Sequence, residues 1–140
     1  MRRIAGLVVS GVLFAALMVP AVDAGDRRTT YAMTDCRHLR TTPRSILFAC
    51  GDGNYYVDHL RWFRWRPWKA AGFGLFHQND CRPSCADGTF HTEWGWLWLR
   101  NRDRCTPPGK FVFQHVRVRY EGKLLGRHRT AFGHLGCPIT

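Results

Sequence analysis

Apolar and polar residues alternate along much of this chain, and a period of two predicts β-strands. The clearest segment spans residues 111–120, where four apolar side chains share one face and three polar side chains share the other. The apolar set is Val112, Val116, Val118 and Tyr120, and the polar set is His115, Arg117 and Arg119. One face of this strand is therefore expected to be buried and the other exposed to solvent. No segment keeps a helical period, and no internal repeat is present.

Residues 45–65 predict a β-hairpin. A short apolar strand over 45–50 is followed by Gly51-Asp52-Gly53-Asn54, residue types that favour a turn, and then by a second strand over 55–65. Pro67 ends that strand, because proline cannot donate to a strand ladder.

Two further strands are predicted, over 70–77 and 89–99, separated by a cysteine-containing loop. Gly72 and Gly74 lie within the first of them and indicate that another backbone or an aromatic ring comes close there. With the hairpin and the strand at 111–120, this makes about five short strands. The pattern favours an all-β fold, a small antiparallel sandwich or barrel.

The N-terminus has the features of an export signal. Arg2 and Arg3 precede an apolar run over 4–19, and small residues up to Ala24 suit a signal peptidase. The run is shorter than the roughly 20 residues that a membrane span needs. We therefore expect a signal peptide over 1–24, a mobile mature N-terminus over 25–35, a single β domain over 36–140, and a secreted protein without a transmembrane segment after cleavage.

All six cysteines lie in the predicted mature part, and an exported chain with an even cysteine count predicts three disulfides. Spacing alone does not choose among the possible pairings. A bond between Cys81 and Cys85 would close a short ring with Pro83 inside it. We therefore expect these two cysteines to bond to different partners. The set is Cys36, Cys50, Cys81, Cys85, Cys105 and Cys137.

A metal site is the alternative interpretation of the cysteine-containing loop. Cys81 and Cys85, with His77 and His91, are ligand types that copper or zinc accepts. An oxidising space favours disulfides over thiolates, so the sequence predicts no metal and no cofactor.

Three stretches of the chain, 50–56, 60–65 and 79–88, together resemble small exported actinobacterial proteins of uncharacterised function. The most specific is Asn-Asp-Cys-Arg-Pro-Ser-Cys-Ala at 79–86, and the likeness covers roughly residues 36–120. The resemblance implies an exported, cysteine-bearing β domain, and it implies no activity, cofactor or catalytic residue. Trp94, Trp96 and Trp98 depart from the smaller β-forming residues expected there, so a function resting on them would be this protein's own.

The chain is strongly basic. Removing Arg2, Arg3 and Asp23 with the leader leaves 19 basic and 9 acidic residues, a formal charge of +10. Such a charge favours negatively charged partners, although a bias of the genome towards arginine would give the same count.

Cations and aromatic residues are interleaved over 61–69. This pattern suits an anionic envelope surface or single-stranded nucleic acid, and export argues against nucleic acid. Alternatively, the apolar face is buried and the arginine stems cover a strand edge. The candidate binding residues are Arg61, Arg64, Trp65, Arg66 and Trp68.

Trp94, Trp96 and Trp98 alternate with Gly95, Leu97 and Leu99, so in a strand the three indoles share one face. If the leucines face the core, the indoles form an exposed stripe suited to sugar rings or a membrane interface. If the indoles face the core, they fill the interior. The sequence leaves both arrangements open.

Motifs of enzymes are absent from the sequence. Ser45 and Ser84 are the only serines of the predicted mature chain, and no nucleophile elbow, zinc-protease helix or phosphate loop is present. We therefore predict no catalytic residue and a non-enzymatic protein that binds an anionic or glycan component of the cell envelope. The alternative is a small secreted hydrolase that uses Asp or Glu with a histidine. The oligomeric state is not predicted.

Overall fold

The computed structural model describes residues 29–106, 109–126 and 129–138. The expected signal peptide over 1–24 lies outside these residues. Over the described part the chain is all-β, with eight strands and one short 3-10 helix at Leu124–Gly126. The strands are β1 Thr30–Met33, β2 Leu39–Arg40, β3 Ile46–Leu47, β4 Tyr55–Arg66, β5 Lys69–Asn79, β6 Phe90–Arg104, β7 Phe111–Tyr120 and β8 Thr130–His134.

The strands form a single curled sheet, a half-barrel, in the order β2-β1-β7-β6-β5-β4-β3, with β8 also paired to β7. The all-β class and the predicted hairpin are confirmed, since β3 and β4 pair antiparallel. Two details differ from the prediction. The strand count exceeds five, and β1 pairs with β7 in parallel, so the sheet is not purely antiparallel.

The three strands that the sequence pattern does not predict are β1, β2 and β8. Each is only two to five residues long, too short to display a period of two. Strand β1 lies within the segment expected to be a mobile N-terminus. Instead, Thr30, Ala32 and Met33 are buried there, because β1 covers one edge of β7.

Strand β4 bends because two irregularities interrupt its pairing with β5, one between Asp58 and Arg61 and one between Trp62 and Arg64. At each irregularity β4 has one residue more than β5, so side chains three positions apart, instead of two, face the same side there. The inward-facing side chains are consequently Val57, Leu60, Trp62 and Trp65.

Glycines of β5 make room for this bent strand, as predicted. A side chain at Gly74 would come within 2.7 Å of the carbonyl oxygen of Asp58, and one at Gly72 within 2.9 Å of the Trp62 ring.

The core fills the inside of the curled sheet. Phe76 packs edge-on against Tyr120 at 5.3 Å, and the hydroxyl oxygens of Tyr120 and Tyr55 lie 2.6 Å apart. The apolar face predicted for β7 is confirmed: its four residues are buried, while His115, Arg117 and Arg119 are exposed. The remaining core includes Ala32, Ile46, Val57, Leu60, Ala70, Leu97, Leu99 and Phe113.

The two ends of the sheet approach each other around this core. The backbone N–H of Leu47 on β3 donates to the carbonyl of Thr34, just after β1, at 2.7 Å. The Trp65 indole N–H donates to the Thr30 carbonyl at 3.0 Å, and the Thr30 hydroxyl donates to the Pro67 carbonyl at 2.7 Å. These bonds join β1 and the residue after it to β3, to β4 and to the turn after β4, at the other end of the sheet.

The predicted three disulfides are present, Cys36–Cys50, Cys81–Cys85 and Cys105–Cys137. The expectation that Cys81 and Cys85 bond to different partners is wrong. The Asn79 side chain accepts from the Cys81 N–H and donates to the Cys85 carbonyl, which draws the two ends of this loop together. Three disulfides are typical of an oxidising, extracellular environment. In the described part of the chain, no helix has the length and apolarity that a membrane span requires.

Candidate functional site

The indoles of β6 lie on the outer face of the sheet. Leu97 and Leu99 are completely buried, whereas Trp94 and Trp96 are 42% and 38% exposed and Trp98 is partly exposed. Gly95 faces inward with the leucines, and a side chain there would come within 3.2 Å of the Phe76 ring. Of the two arrangements that the sequence leaves open, the exposed stripe is therefore the one adopted.

Two phenylalanines from neighbouring strands widen this stripe. The Phe73 ring on β5 lies 5.5 Å from Trp94 and 5.2 Å from Trp96. Phe63 on β4 is 67% exposed and lies 5.4 Å from Trp96, and Trp96 lies 6.3 Å from Trp98. We call this surface the aromatic ribbon, and it consists of Phe63, Phe73, Trp94, Trp96 and Trp98.

Arginines flank the ribbon on both sides, because residues paired across a sheet point to the same face. On β4, Arg61 pairs with Phe73 and Arg64 with Ala71. On β7, Arg119 pairs with Trp96 and Arg117 with Trp98. Strands are about 4.8 Å apart, so β4 and β7 place the two arginine rows roughly 14 Å from each other. The flanking arginines are Arg61, Arg64, Arg117 and Arg119.

The flanking arginines have no carboxylate partner among the described residues, where the ion pairs found all join a histidine to an aspartate. None of the four is therefore directly paired with an acidic side chain in the described part of the chain. An aromatic surface between two rows of cations can stack on rings and attract anions at the same time.

The candidates predicted over 61–69 separate in the structure. Arg61 and Arg64 flank the ribbon, and Arg66 pairs with Lys69 at the far end of the same face. Trp65 is not part of this surface. The irregularity between Trp62 and Arg64 leaves it facing inward with Trp62, and its ring contacts Phe113 at 5.5 Å. Trp68 is exposed in the turn after β4, away from the ribbon, and its ring contacts the Arg102 guanidinium at 4.6 Å.

Four residues of the surface are not among the sequence-predicted site residues, namely Phe63, Phe73, Arg117 and Arg119. The pattern of β7 does place Arg117 and Arg119 on a wet face, and the inward glycines of β5 imply that Phe73 points outward. Only the register between strands brings them beside the indoles.

An open groove of about 330 Å³ lies at the Trp98 end of the ribbon. Trp98, Arg117 and Phe132 are direct neighbours across β6, β7 and β8. The guanidinium carbon of Arg117 lies 5.8 Å from the Trp98 ring and 5.6 Å from the Phe132 ring. The other lining residues are Arg100, Asn101, His115, Val116 and Gly133.

Contacts between aspartate and histidine are the chemistry that a hydrolase would need. Three aspartates of the described chain make such contacts, and Asp35 does so with the exposed His38 at 2.7 Å. Asp58 contacts His77 Nε2 at 3.0 Å and His59 Nδ1 at 2.7 Å. Burial alone would raise the pKa of Asp58, but its hydrogen bonds with these histidines outweigh burial and lower the pKa. Asp80 contacts His91 Nε2 at 3.1 Å, and the backbone N–H of Thr89, together with His91, lowers the pKa of Asp80.

No second carboxylate lines the groove beside Asp80 or the groove beside Asp35. The groove of about 450 Å³ beside Asp80 and His91 is lined by Arg82, Thr92, Lys123, Leu124 and Leu125 as well. The groove beside Asp35 likewise contains one carboxylate only. An acid and base acting on opposite sides of a glycosidic bond need two.

The alternative metal site at the cysteine-containing loop loses its two thiolate ligands in the structure. Cys81 and Cys85 are bonded to each other and supply no thiolate. No cluster of three or more potential metal ligands occurs in the described ranges.

No family model, no curated protein and no solved structure matches this chain. The resemblance to small exported actinobacterial proteins therefore stays a prediction.

Proposed function

We propose that this protein is an exported, non-enzymatic domain that binds an anionic or glycan component of the cell envelope. The single observation that carries the proposal is the aromatic ribbon on the outer face, flanked on both sides by arginines without carboxylate partners among the described residues. A core-facing indole stripe would have offered nothing to a ligand. The leader-like N-terminus and the disulfides support a place outside the cell.

The two parts of this surface have different tasks. The flanking arginines attract the polymer over a distance of about one Debye length, roughly 10 Å at 0.1 M salt and 3 Å at 1 M. The ribbon then holds it by ring contacts, which depend little on salt. Aromatic stacking contributes about 1–3 kcal/mol per ring in comparable nucleic-acid sites, so a few contacts suffice for retention.

The hydrolase alternative draws on Asp80 and His91, which face a groove. That groove is lined by one carboxylate only, and no specific observation favours hydrolysis over binding. We therefore propose binding alone.

Retention on purified cell wall at about 0.1 M and 1 M salt tests the proposal. We expect the wild type to be retained at low salt and to elute progressively as salt rises. The double variant R61Q/R64Q should elute at lower salt, and W94A/W96A should lose the residual, salt-resistant retention. R37Q/R40Q, which removes two exposed charges outside the ribbon, is the control for the loss of charge in R61Q/R64Q.

No retention of the wild type at either salt concentration would contradict the proposal. Retention that changes with neither salt nor these substitutions would contradict it as well, because the surface described here would then have no part in binding.

A further inference from the structure

We infer that the groove between Trp98 and Phe132 is the subsite for one acid-bearing sugar ring of a linear acidic polysaccharide that lies along the aromatic ribbon. The inference rests on the proposed function and names the ligand class. It also assigns a specificity-determining role to Arg117.

The geometry of the groove fits a single ring. Trp98 and Phe132 lie two strands apart, which separates their backbones by about 9.6 Å, and Arg117 lies between them. The volume of about 330 Å³ is at the small end of the roughly 300–1,000 Å³ typical of ligand sites. Phe132 is 76% exposed, the largest exposed fraction among the large apolar side chains described. Two aromatic walls with a cation between them are suited to a ring that carries an acid.

The charges in the groove favour an anion. Arg100 and Arg117 both line it, and no carboxylate does. A guanidinium binds a carboxylate through two parallel hydrogen bonds, which an ammonium cannot reproduce. The two ring contacts of Arg117 restrain its guanidinium in the groove before any ligand arrives.

The ribbon indicates how the rest of the polymer lies. From the groove, the ribbon continues along β6 through Trp96 to Trp94, with side chains about 6.6–7 Å apart. A chain of sugar rings placed along β6 has stacking surfaces beneath it and arginines on either side. A polyol-phosphate chain has the charge but no rings to stack. A neutral glycan has the rings but leaves the arginines without partners.

Binding measurements with four probes test this inference. They are oligogalacturonate, its fully methyl-esterified form, poly(glycerol phosphate), and vesicles with anionic lipid. We expect oligogalacturonate to bind at least about tenfold more tightly than the other three, a factor equivalent to 1.4 kcal/mol. F132A should weaken binding of oligogalacturonate, and its exposed position leaves the fold intact.

Substitutions of Arg117 distinguish binding at a specific subsite from nonspecific electrostatic attraction. R117K keeps the charge and should still weaken binding of oligogalacturonate about tenfold, because the paired hydrogen bonds are lost. R117Q and the control R37Q, which removes one exposed charge between β1 and β2, have equal net charge. Nonspecific attraction therefore predicts equal effects, whereas a subsite predicts a larger effect for R117Q.

The failure of this inference is distinguishable from failure of the proposed function. If the wild type is retained on cell wall but prefers poly(glycerol phosphate), the methyl ester or vesicles, the ligand class is wrong and the proposed function stands. Equal effects of R117Q and R37Q would overturn the subsite. If nothing binds, cell wall included, the proposed function fails too.

Discussion

The rings of Phe73 and Trp94 lie 5.5 Å apart and within 3° of parallel on the outer face of the sheet. The two residues come from adjacent strands, and Trp94 pairs with Leu75, the outward residue next to Phe73 on that face. Their stacking covers part of each ring while leaving Trp94 substantially exposed. The ribbon is thus held in place by contacts between its own rings.

Because the ribbon lies outside the core, its removal should cost little stability. We expect Trp94→Ala, which loses the ring pair with Phe73, to lower the free energy of unfolding by about 1.5 kcal/mol or less. Leu97→Ala, on the buried face of the same strand, should cost about 2–5 kcal/mol. Urea denaturation of both variants measures the difference. A W94A variant as unstable as L97A would show that this indole is structural.

Gly74 should tolerate no side chain. The added Cβ of Gly74→Ala would lie 2.7 Å from the Asp58 carbonyl oxygen and 2.9 Å from both Leu60 and Val57, so β4 must shift. We expect a loss of about 1–3 kcal/mol in the free energy of unfolding. Gly51→Ala, with no atom within 4 Å, is the matched control and should be close to neutral. Equal stability of the two variants would contradict the close approach of β4 and β5.

Tyr55 and Tyr120 make the fold sensitive to alkali. Burial, followed by the neighbouring Tyr120, raises the pKa of Tyr55 above its ordinary value of 10.0, and burial also raises the pKa of Tyr120. The unfolded chain therefore loses these protons first, so the stability is fully present below about pH 10 and falls as the pH rises through and beyond it.

Denaturation followed from pH 7 to about pH 11 measures this effect. Tyr55→Phe removes one of the two phenols and should cost about 1 kcal/mol at pH 7, because the hydrogen bond to Tyr120 is lost. The same variant should lose less stability than the wild type on the alkaline side. Tyr31→Phe, outside the pair, controls for the substitution itself. An equal alkaline loss in Y55F and wild type would refute the role of the pair.

The three disulfides should contribute unequally. Loop-closure entropy predicts that Cys105–Cys137, which joins residues 32 apart, contributes more to the free energy of unfolding than Cys81–Cys85, which joins residues 4 apart. The expected difference is about 2 kcal/mol, from the logarithm of the two loop lengths. Thermal unfolding of the paired serine variants checks the order, with C36S/C50S between the other two. A larger loss for C81S/C85S would show that its loop is held by more than entropy.

The sequence by itself determined the fold class, the long strands and the number of disulfides. A period of two over 111–120 already separates the buried face of β7 from its arginines, because side chains alternate strictly along a regular strand. Likewise, the glycines at 72 and 74 predict that another backbone or ring comes close to this strand, because glycine inside a strand often marks such an approach.

Only the tertiary structure decided which face of each strand is covered and which side chains become neighbours. Trp62 and Trp65 face inward together, and Arg61 and Arg64 outward together, because the irregularity between Trp62 and Arg64 adds one residue to β4. The sequence alone does not show where the pairing with β5 leaves a residue over. Trp94, Trp96 and Trp98 face outward because Leu97 and Leu99 occupy the core on the other side of β6, and side chains alternate along a strand. The pairing of Arg117 with Trp98 and Phe132 depends on the register of three strands, and register is a property of the whole sheet rather than of any one segment.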